Sequence, residues 1–261
     1  MVRIAAAGDI HCGTQDNGRV REQFATVSQE ADILLFAGDL TNHGTVEEMT
    51  AFAEQLSDIT IPMVAILGNH DVHSELEVEM RRILESAGVT VLEKETAEFG
   101  IQGITVGVAG AKGFGGGFRG GCASTFGERE MRAFLAPTHA YGDFFESALR
   151  TMDTDIRLAL MHFAPIPETL FGERWEIFPF LGAYQLGDAL DASGADLAFH
   201  GHAHRGTECG QTAGGVPVRN VAQGVLRKPY AVYDVAPKRL MRKIPAATTM
   251  MPATISVPVG I

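Results

Sequence analysis

The 261-residue sequence predicts an α/β fold: a mixed, two-sheet β-sandwich flanked by helices, with a metal site at the carboxyl ends of its strands. Three observations carry this. Short apolar runs recur through the chain, bounded by Gly and polar residues, as buried strands are. Helix-opening patterns lie between the early runs, so strands and helices alternate, which implies parallel pairing through crossover helices. Asp, Asn or His follows most of the runs, and in open α/β sheets ligands bind beyond the carboxyl ends of the strands.

Taken in order, Val2 to Ala7 reads as the first strand and Val20 to Ala31 as a helix. Ile33 to Ala37 is the second strand. Thr45-Val46-Glu47-Glu48 has the capping-box pattern and opens a helix towards Leu56. Met63 to Leu67 is the third strand. Ser74-Glu75-Leu76-Glu77 is a second capping box, opening a helix that stops at Ala87-Gly88. Between Thr90 and Ala109 the period shortens, and Ile104 to Val108 reads as strand. Leu158 to Met161, Leu197 to Phe199, Val216 to Val221 and Tyr230 to Val235 complete the strands. With neither repeat nor linker, residues 1–240 are expected to form one domain and 241–261 a tail. Beyond Lys243 that tail has no charged residue and reads as a docking arm or a disordered end.

Five fragments at strand ends carry the chemistry: Asp9-Ile10-His11, Gly38-Asp39, Gly68-Asn69-His70-Asp71, a lone His162, and Gly201-His202-Ala203-His204. Each alone is weak, since Gly-Asp is ordinary turn chemistry and a lone His after an apolar run is commonly a hydrogen-bonded core residue. Five of them in order, each at a strand end, are hard to obtain as unrelated turns. Imidazole suits Zn, Fe and related ions, and carboxylate oxygens also accept Mn. Asn69 offers a carbonyl oxygen without adding charge.

In these fragments the chain resembles the calcineurin-like metallophosphoesterases, whose signature has the same five elements in the same order. The resemblance spans residues 9–204. It implies a sandwich fold and two divalent ions, one held by Asp9, His11, Asp39 and His204. Asp39, Asn69, His162 and His202 would hold the other, with Asp39 bridging. His70 would face the substrate as acid or charge stabiliser, positioned by Asp71. Two ions roughly 3.5–4 Å apart can clamp the attacking and leaving oxygens of an in-line displacement, with a metal-bridging hydroxide as nucleophile. Mn, Fe or Zn would serve. The Asp-Arg pair of the serine/threonine protein phosphatases is absent after Gly38-Asp39. Gly38-Asp39-Leu40-Thr41 and His162-Phe163-Ala164-Pro165 resemble the bacterial phosphodiesterase-type members instead. His43 and His200 match no ligand position and read as structural.

A net charge of −11, with no basic run or stripe, argues against a protein that grips a nucleic-acid backbone and favours a small phosphorylated substrate. No apolar stretch reaches the roughly 18 residues of a membrane span. Three cysteines, Cys12, Cys122 and Cys209, with no signal-peptide pattern, point to a reducing cytoplasm. Gly110 to Gly121 holds seven glycines with Lys112 and Arg119; it reads as a mobile surface loop or, less favoured, an anion-binding nest. The apolar stretch from Phe163 to Phe180, with the only tryptophan, Trp175, reads equally as a pocket wall, as core, or as a contact with a second copy in a homo-oligomer.

The expected function is therefore hydrolysis of small phosphodiesters or phosphomonoesters by a cytoplasmic, metal-dependent hydrolase. A cyclic-nucleotide phosphodiesterase is the first alternative and a nuclease a weaker one. A metal-binding interaction module without catalysis is the alternative of another class. An unligated His70 beside Asp71 has no use in such a module.

Overall fold

The computed structural model describes residues 1–237; the tail expected over 241–261, and the last residues of the 1–240 domain, lie outside that range. The strands are β1 (Val2–Ala7), β2 (Ile33–Ala37), β3 (Met63–Ile66), β4 (Val89–Val91), β5 (Glu95–Ile101), β6 (Ile104–Gly110), β7 (Gly117–Phe118), β8 (Gly121–Cys122), β9 (Ile156–Leu160), β10 (Leu197–His200), β11 (Cys209–Gln211), β12 (Pro217–Asn220) and β13 (Ala231–Val235). The helices are α1 (Arg19–Gln23), α2 (Val27–Glu30), α3 (Val46–Glu54), α4 (Glu77–Ser86), α5 (Arg129–Thr151), α6 (Phe178–Leu181), α7 (Tyr184–Ser193) and α8 (Gln223–Leu226). They build the mixed two-sheet sandwich the sequence predicts.

One sheet has the order β13-β1-β2-β3-β4, and the other β11-β12-β10-β9-β6-β5. β1 to β4 are mutually parallel, as are β6, β9, β10 and β12; β13, β11 and β5 add antiparallel edges. Strand periodicity explains the layers. On β2, Ile33, Leu35 and Ala37 point between the sheets, against Val106, Val108, Leu158 and Phe199. Leu34 and Phe36 point outward and meet Phe24, Met49, Phe52 and Leu84 from the helices. On the far side, Ala109, Ala159 and Ala198 pack against Phe145, Leu149, Leu186 and Leu190 of α5 and α7. The order is helix, sheet, sheet, helix, and the inner strands β2, β3 and β10 are buried along their whole length because both faces are covered.

Two local expectations fail. Val20 to Ala31 is not one helix: it breaks between α1 and α2, where Phe24 packs against Phe36 and Tyr230 and Thr26 Oγ1 meets the Tyr230 hydroxyl at 3.0 Å. Ser74 does not cap α4. Its hydroxyl donates to the His43 carbonyl at 2.7 Å, and the helix starts at Glu77 with no side-chain cap.

Candidate metal centre

The ladder hydrogen bonds continue past the strands into the motif loops. Asp9 N–H donates to the Gly38 carbonyl, His11 N–H to Asp39 and Gly201 N–H to His162, at 3.0, 3.0 and 3.2 Å. These bonds join the loop after β1 to that after β2 and the loop after β10 to that after β9; His70 N–H to Asp39 Oδ1 adds the loop after β3, and His162 Nδ1 to the Ala37 carbonyl joins the two sets. Asp9, His11, Asp39 and His204 bring ligand atoms within 4.8 Å of one another, and Asp39, His162 and His202 do the same. Asn69 joins the second group, its Oδ1 standing 2.9 Å from His162 Nε2. Asp39 belongs to both groups. All seven residues expected as ligands therefore meet in one place.

The backbone is bent to achieve this. Asp9, His11, Asp39 and His202 have φ of +56°, +48°, +52° and +69°, the left-handed region that side-chain-bearing residues avoid. Each costs about 1 kcal/mol or more, and such strain clusters at functional sites. Two motif glycines have a steric role. A methyl on Gly68 would overlap the Asp39 carboxylate, and one on Gly201 would overlap Asp9 Oδ2. The carboxylates sit directly against backbone that has no Cβ.

Hydrogen bonds aim the donor atoms. His162 Nδ1–H donates to the Ala37 carbonyl at 2.8 Å, which leaves Nε2 facing the centre. His202 Nε2 meets the Phe180 carbonyl at 3.2 Å, leaving its Nδ1. His11 and His204 turn their Nε2 atoms towards each other at 3.4 Å, and His204 Nε2 is 2.8 Å from Asp9 Oδ1. Asp39 Oδ1 accepts from His70 N–H at 2.8 Å, while Asp39 Oδ2 is buried without a partner. A buried carboxylate oxygen with nothing to bond is costly unless a cation completes it. With imidazole, carboxylate and amide donors converging around it, the residues fit two divalent ions.

The charges agree. Burial would raise the Asp39 carboxyl, but the His162 imidazolium beside it wins and holds it well below the usual carboxylate range. Burial would lower His162, yet Asp39, and then Asp9, lift it to about 9. Burial lowers His202 to about 3. In the protein without an ion, then, His162 carries the positive charge that the carboxylates attract, and a cation would displace that proton.

Asp71 does not take the place expected for it beside His70. Asp71 does not touch the His70 ring. It is buried beneath the site, accepting from the N–H groups of Leu40, Thr41 and Gly68 and from the Thr41 hydroxyl at 2.7–3.1 Å. Three donors from the loop after β2 and one from the loop after β3 consume its oxygens, so it clamps the two loops together. Burial, and then the Asp39 charge, push its carboxyl up to about 6. His70 Nδ1 instead donates to the Asn42 carbonyl at 2.7 Å, and its Nε2 lies 3.9 Å from Asp39 Oδ2 on the open side of the site. His200 is structural: buried, with ring nitrogens bonded to the Gly201 carbonyl and Thr169 Oγ1, both at 2.7 Å.

The sequence profile described as calcineurin-like phosphoesterase matches residues 2–206. The chain belongs to that family. It is also 31% identical, over 51 residues, to a probable cyclic nucleotide phosphodiesterase of Xenorhabdus bovienii; the match spans 20% of this chain and 21% of that one. Among solved structures it resembles a phosphopantetheinyl hydrolase from Mycobacterium tuberculosis, at 14% identity and a TM-score of 0.63, covering 90% of this chain and 96% of that one. It also resembles GAP50, the anchor in the inner membrane complex of Plasmodium, at 13% identity and a TM-score of 0.52, covering 85% and 72%. An enzyme and an anchor share the architecture, so function must be argued from the site.

Two segments flank the centre of this phosphoesterase fold. Gly110 to Gly121 is not a surface loop: residues 113–118 are largely buried, and the segment forms β7 of a small hairpin. Gly116 and Gly117 N–H donate to the Pro179 and Gly182 carbonyls at 2.7 and 2.9 Å, so they form no anion nest. Trp175 and Phe180 are 76% and 61% exposed, which excludes the core reading for them. Phe118, Arg119, Trp175, Phe178 and Pro179 line a cavity of about 530 Å³. Among the described residues, no helix is long and apolar enough to cross a membrane.

Proposed function

We propose that the chain hydrolyses small phosphodiesters or phosphomonoesters at a centre of two divalent transition-metal ions, Mn, Fe or Zn. Asp9, His11, Asp39 and His204 would hold one ion, and Asp39, Asn69, His162 and His202 the other. The observation that carries this is the convergence of these seven side chains about Asp39, whose Oδ2 is buried without a partner. When bound, such ions supply Lewis-acid charge to a phosphoryl group and lower the pKa of water.

The chain's own residues do the rest. His70, with Nδ1 tied to Asn42, presents Nε2 to the open side of the centre. There it can donate a proton to a leaving alkoxide or offset charge on phosphoryl oxygens. Asp71 keeps the two ligand loops in register from below. The aromatic cavity supports an aromatic or nucleoside leaving group, because Pro179, in its wall, precedes Phe180, whose carbonyl meets His202. The name of the Xenorhabdus relative supports cyclic nucleotides as the second reading. A chain of net charge −11 repels the many phosphates of a nucleic acid.

The test is turnover of phosphomonoesters, aryl phosphodiesters, cyclic nucleotides and DNA by protein supplied with Mn, Fe or Zn. The proposal expects hydrolysis of aryl or cyclic diesters faster than DNA at matched phosphate, and a loss of about 10²–10⁴ in rate for His70→Ala with metal content unchanged. Full metal occupancy without turnover of any ester would leave the non-catalytic binding module standing. Faster, salt-sensitive cleavage of DNA would move the protein among the nucleases.

A further inference from the structure

The peptide unit joining Asn42 and His43 is bonded on both sides. Its carbonyl accepts from His70 Nδ1–H at 2.7 Å. Its N–H donates to Glu48 Oε2, also at 2.7 Å. Glu48 is buried to 7% exposure, and its other oxygen, Oε1, meets His43 Nδ1 at 3.0 Å. One buried carboxylate thus stands a single amide away from the imidazole over the metal centre.

Glu48 occupies the last position of the sequence's capping box, where a glutamate reaches back to the N–H of the first residue. Only half of that box forms here. Thr45 Oγ1 accepts from Glu48 N–H at 3.2 Å, but the Glu48 carboxylate turns to His43. The surroundings hold the 42–43 peptide still. Ser74 Oγ donates to the His43 carbonyl at 2.7 Å, and Gly44 N–H donates to Thr41 Oγ1 at 3.1 Å. Thr41 in turn bonds Asp71. Gly44 has φ +67°, and a methyl there would overlap the Asp71 carbonyl, so this turn packs tightly on the His70 loop.

We infer that Glu48 is a positioning residue for His70, acting through the Asn42–His43 peptide: it fixes and polarises the carbonyl that holds His70 Nδ1–H and so keeps Nε2 turned to the substrate. This rests on the proposed hydrolysis for its catalytic consequence but not for its geometry. A carboxylate on the N–H side of an amide draws the proton and increases electron density on the carbonyl oxygen, and hydrogen bonds in series strengthen one another. The orienting carboxylate expected from Asp71 is thereby supplied from helix α3. An imidazole with one fixed tautomer needs such a partner.

Two measurements test it. In zinc-loaded full-length protein with ¹⁵N-labelled histidine, His70 should show a single tautomer, protonated at Nδ1, and the His43 amide proton should lie far downfield. In Glu48→Ala, kcat should fall about 10- to 100-fold, the range for a lost supporting partner, with KM and metal content unchanged. Glu48→Gln, which keeps an oxygen acceptor at about half the strength, should restore kcat to within about threefold. Exchange between His70 tautomers in the wild type overturns the inference whatever the variants do, including a Glu48→Ala protein that fails to fold. An unchanged kcat in Glu48→Ala, or no rescue by Gln, overturns it as well. Should the loaded wild type hydrolyse nothing, the proposed function falls, and the histidine spectrum alone still decides the role of Glu48.

Discussion

Gly201→Ala probes the metal centre through one methyl group. Gly201 does not have positive φ, so alanine suits its backbone; the cost is contact alone. The added Cβ lies 3.1 Å from the Ala37 carbonyl and overlaps Asp9 Oδ2. Ordinary contact requires that oxygen to retreat by about 1 Å. Asp9 is held by His202 N–H at 3.0 and 2.9 Å and by His204 Nε2 at 2.8 Å. A shift of that size stretches these bonds beyond hydrogen-bonding range. Overpacking of this kind costs about 1–3 kcal/mol. At about 2–4 °C per kcal/mol for a chain of this size, the metal-free protein should melt about 2–12 °C lower. Affinity for the ion assigned to Asp9 should fall, while the ion assigned to His162 and His202 stays. Gly68→Ala, which displaces the shared Asp39, should remove both. Elemental analysis and thermal melts of the two variants are the assays. Two ions per chain in Gly201→Ala at wild-type affinity would refute the steric account and the assignment of Asp9.

Asp39→Asn should reduce occupancy of both ions, because one carboxylate serves both groups; loss of one ion alone, by elemental analysis, would mean that Asp39 does not bridge. Metal loading at pH 7.5 should release about one proton per chain from His162, since neutral imidazole is the ligand. Calorimetry in buffers of different ionisation enthalpy would show it, and no release would contradict the raised pKa. The sign for stability follows: with the folded pKa above the unfolded value of about 6.5, this charge stabilises the metal-free fold fully below that pH and is lost as the pH rises through about 9. Leu35→Ala, buried between the sheets, should cost about 2–5 kcal/mol in denaturant unfolding without altering metal stoichiometry.

The inner parallel strands were legible because each is a short apolar run with a polar stop, the signature of strands covered on both faces; the exposed strands β5, β8 and β11 lack that run and were not. The candidate ligands were legible because each lies just beyond such a run. Helix α5 was not, for its buried positions Leu135, Thr138, Gly142, Phe145 and Leu149 keep helical spacing while two of the five are not apolar and Pro137 lies inside it. The Asp71 assignment failed for a similar reason. Adjacent residues on a tight turn project in different directions, and sequence cannot say which one reaches the imidazole. Asn42 contributes only its carbonyl, which every residue has, so no side-chain pattern could mark it. The glycines at 68 and 201 belonged to the motifs, but the carboxylates pressed against them are visible only in three dimensions.

The candidate ligands come from both halves of the sandwich. Asp9, His11, Asp39 and Asn69 leave the first sheet, and His162, His202 and His204 leave the second. Filled sites would rivet the two sheets together at that edge, where Gly8 N–H already reaches across to the Val221 carbonyl at 2.8 Å. The ions would then be structural fasteners as well as reagents. Each ion at a hundred times its dissociation constant adds about 2.7 kcal/mol to the folded state. Stripping them with a chelator should lower the melting temperature and loosen this edge first, seen as faster amide exchange at Gly8 and Gly201 than at the buried middle of β2. Metal scarcity would thus limit how long the chain stays folded as well as whether it works.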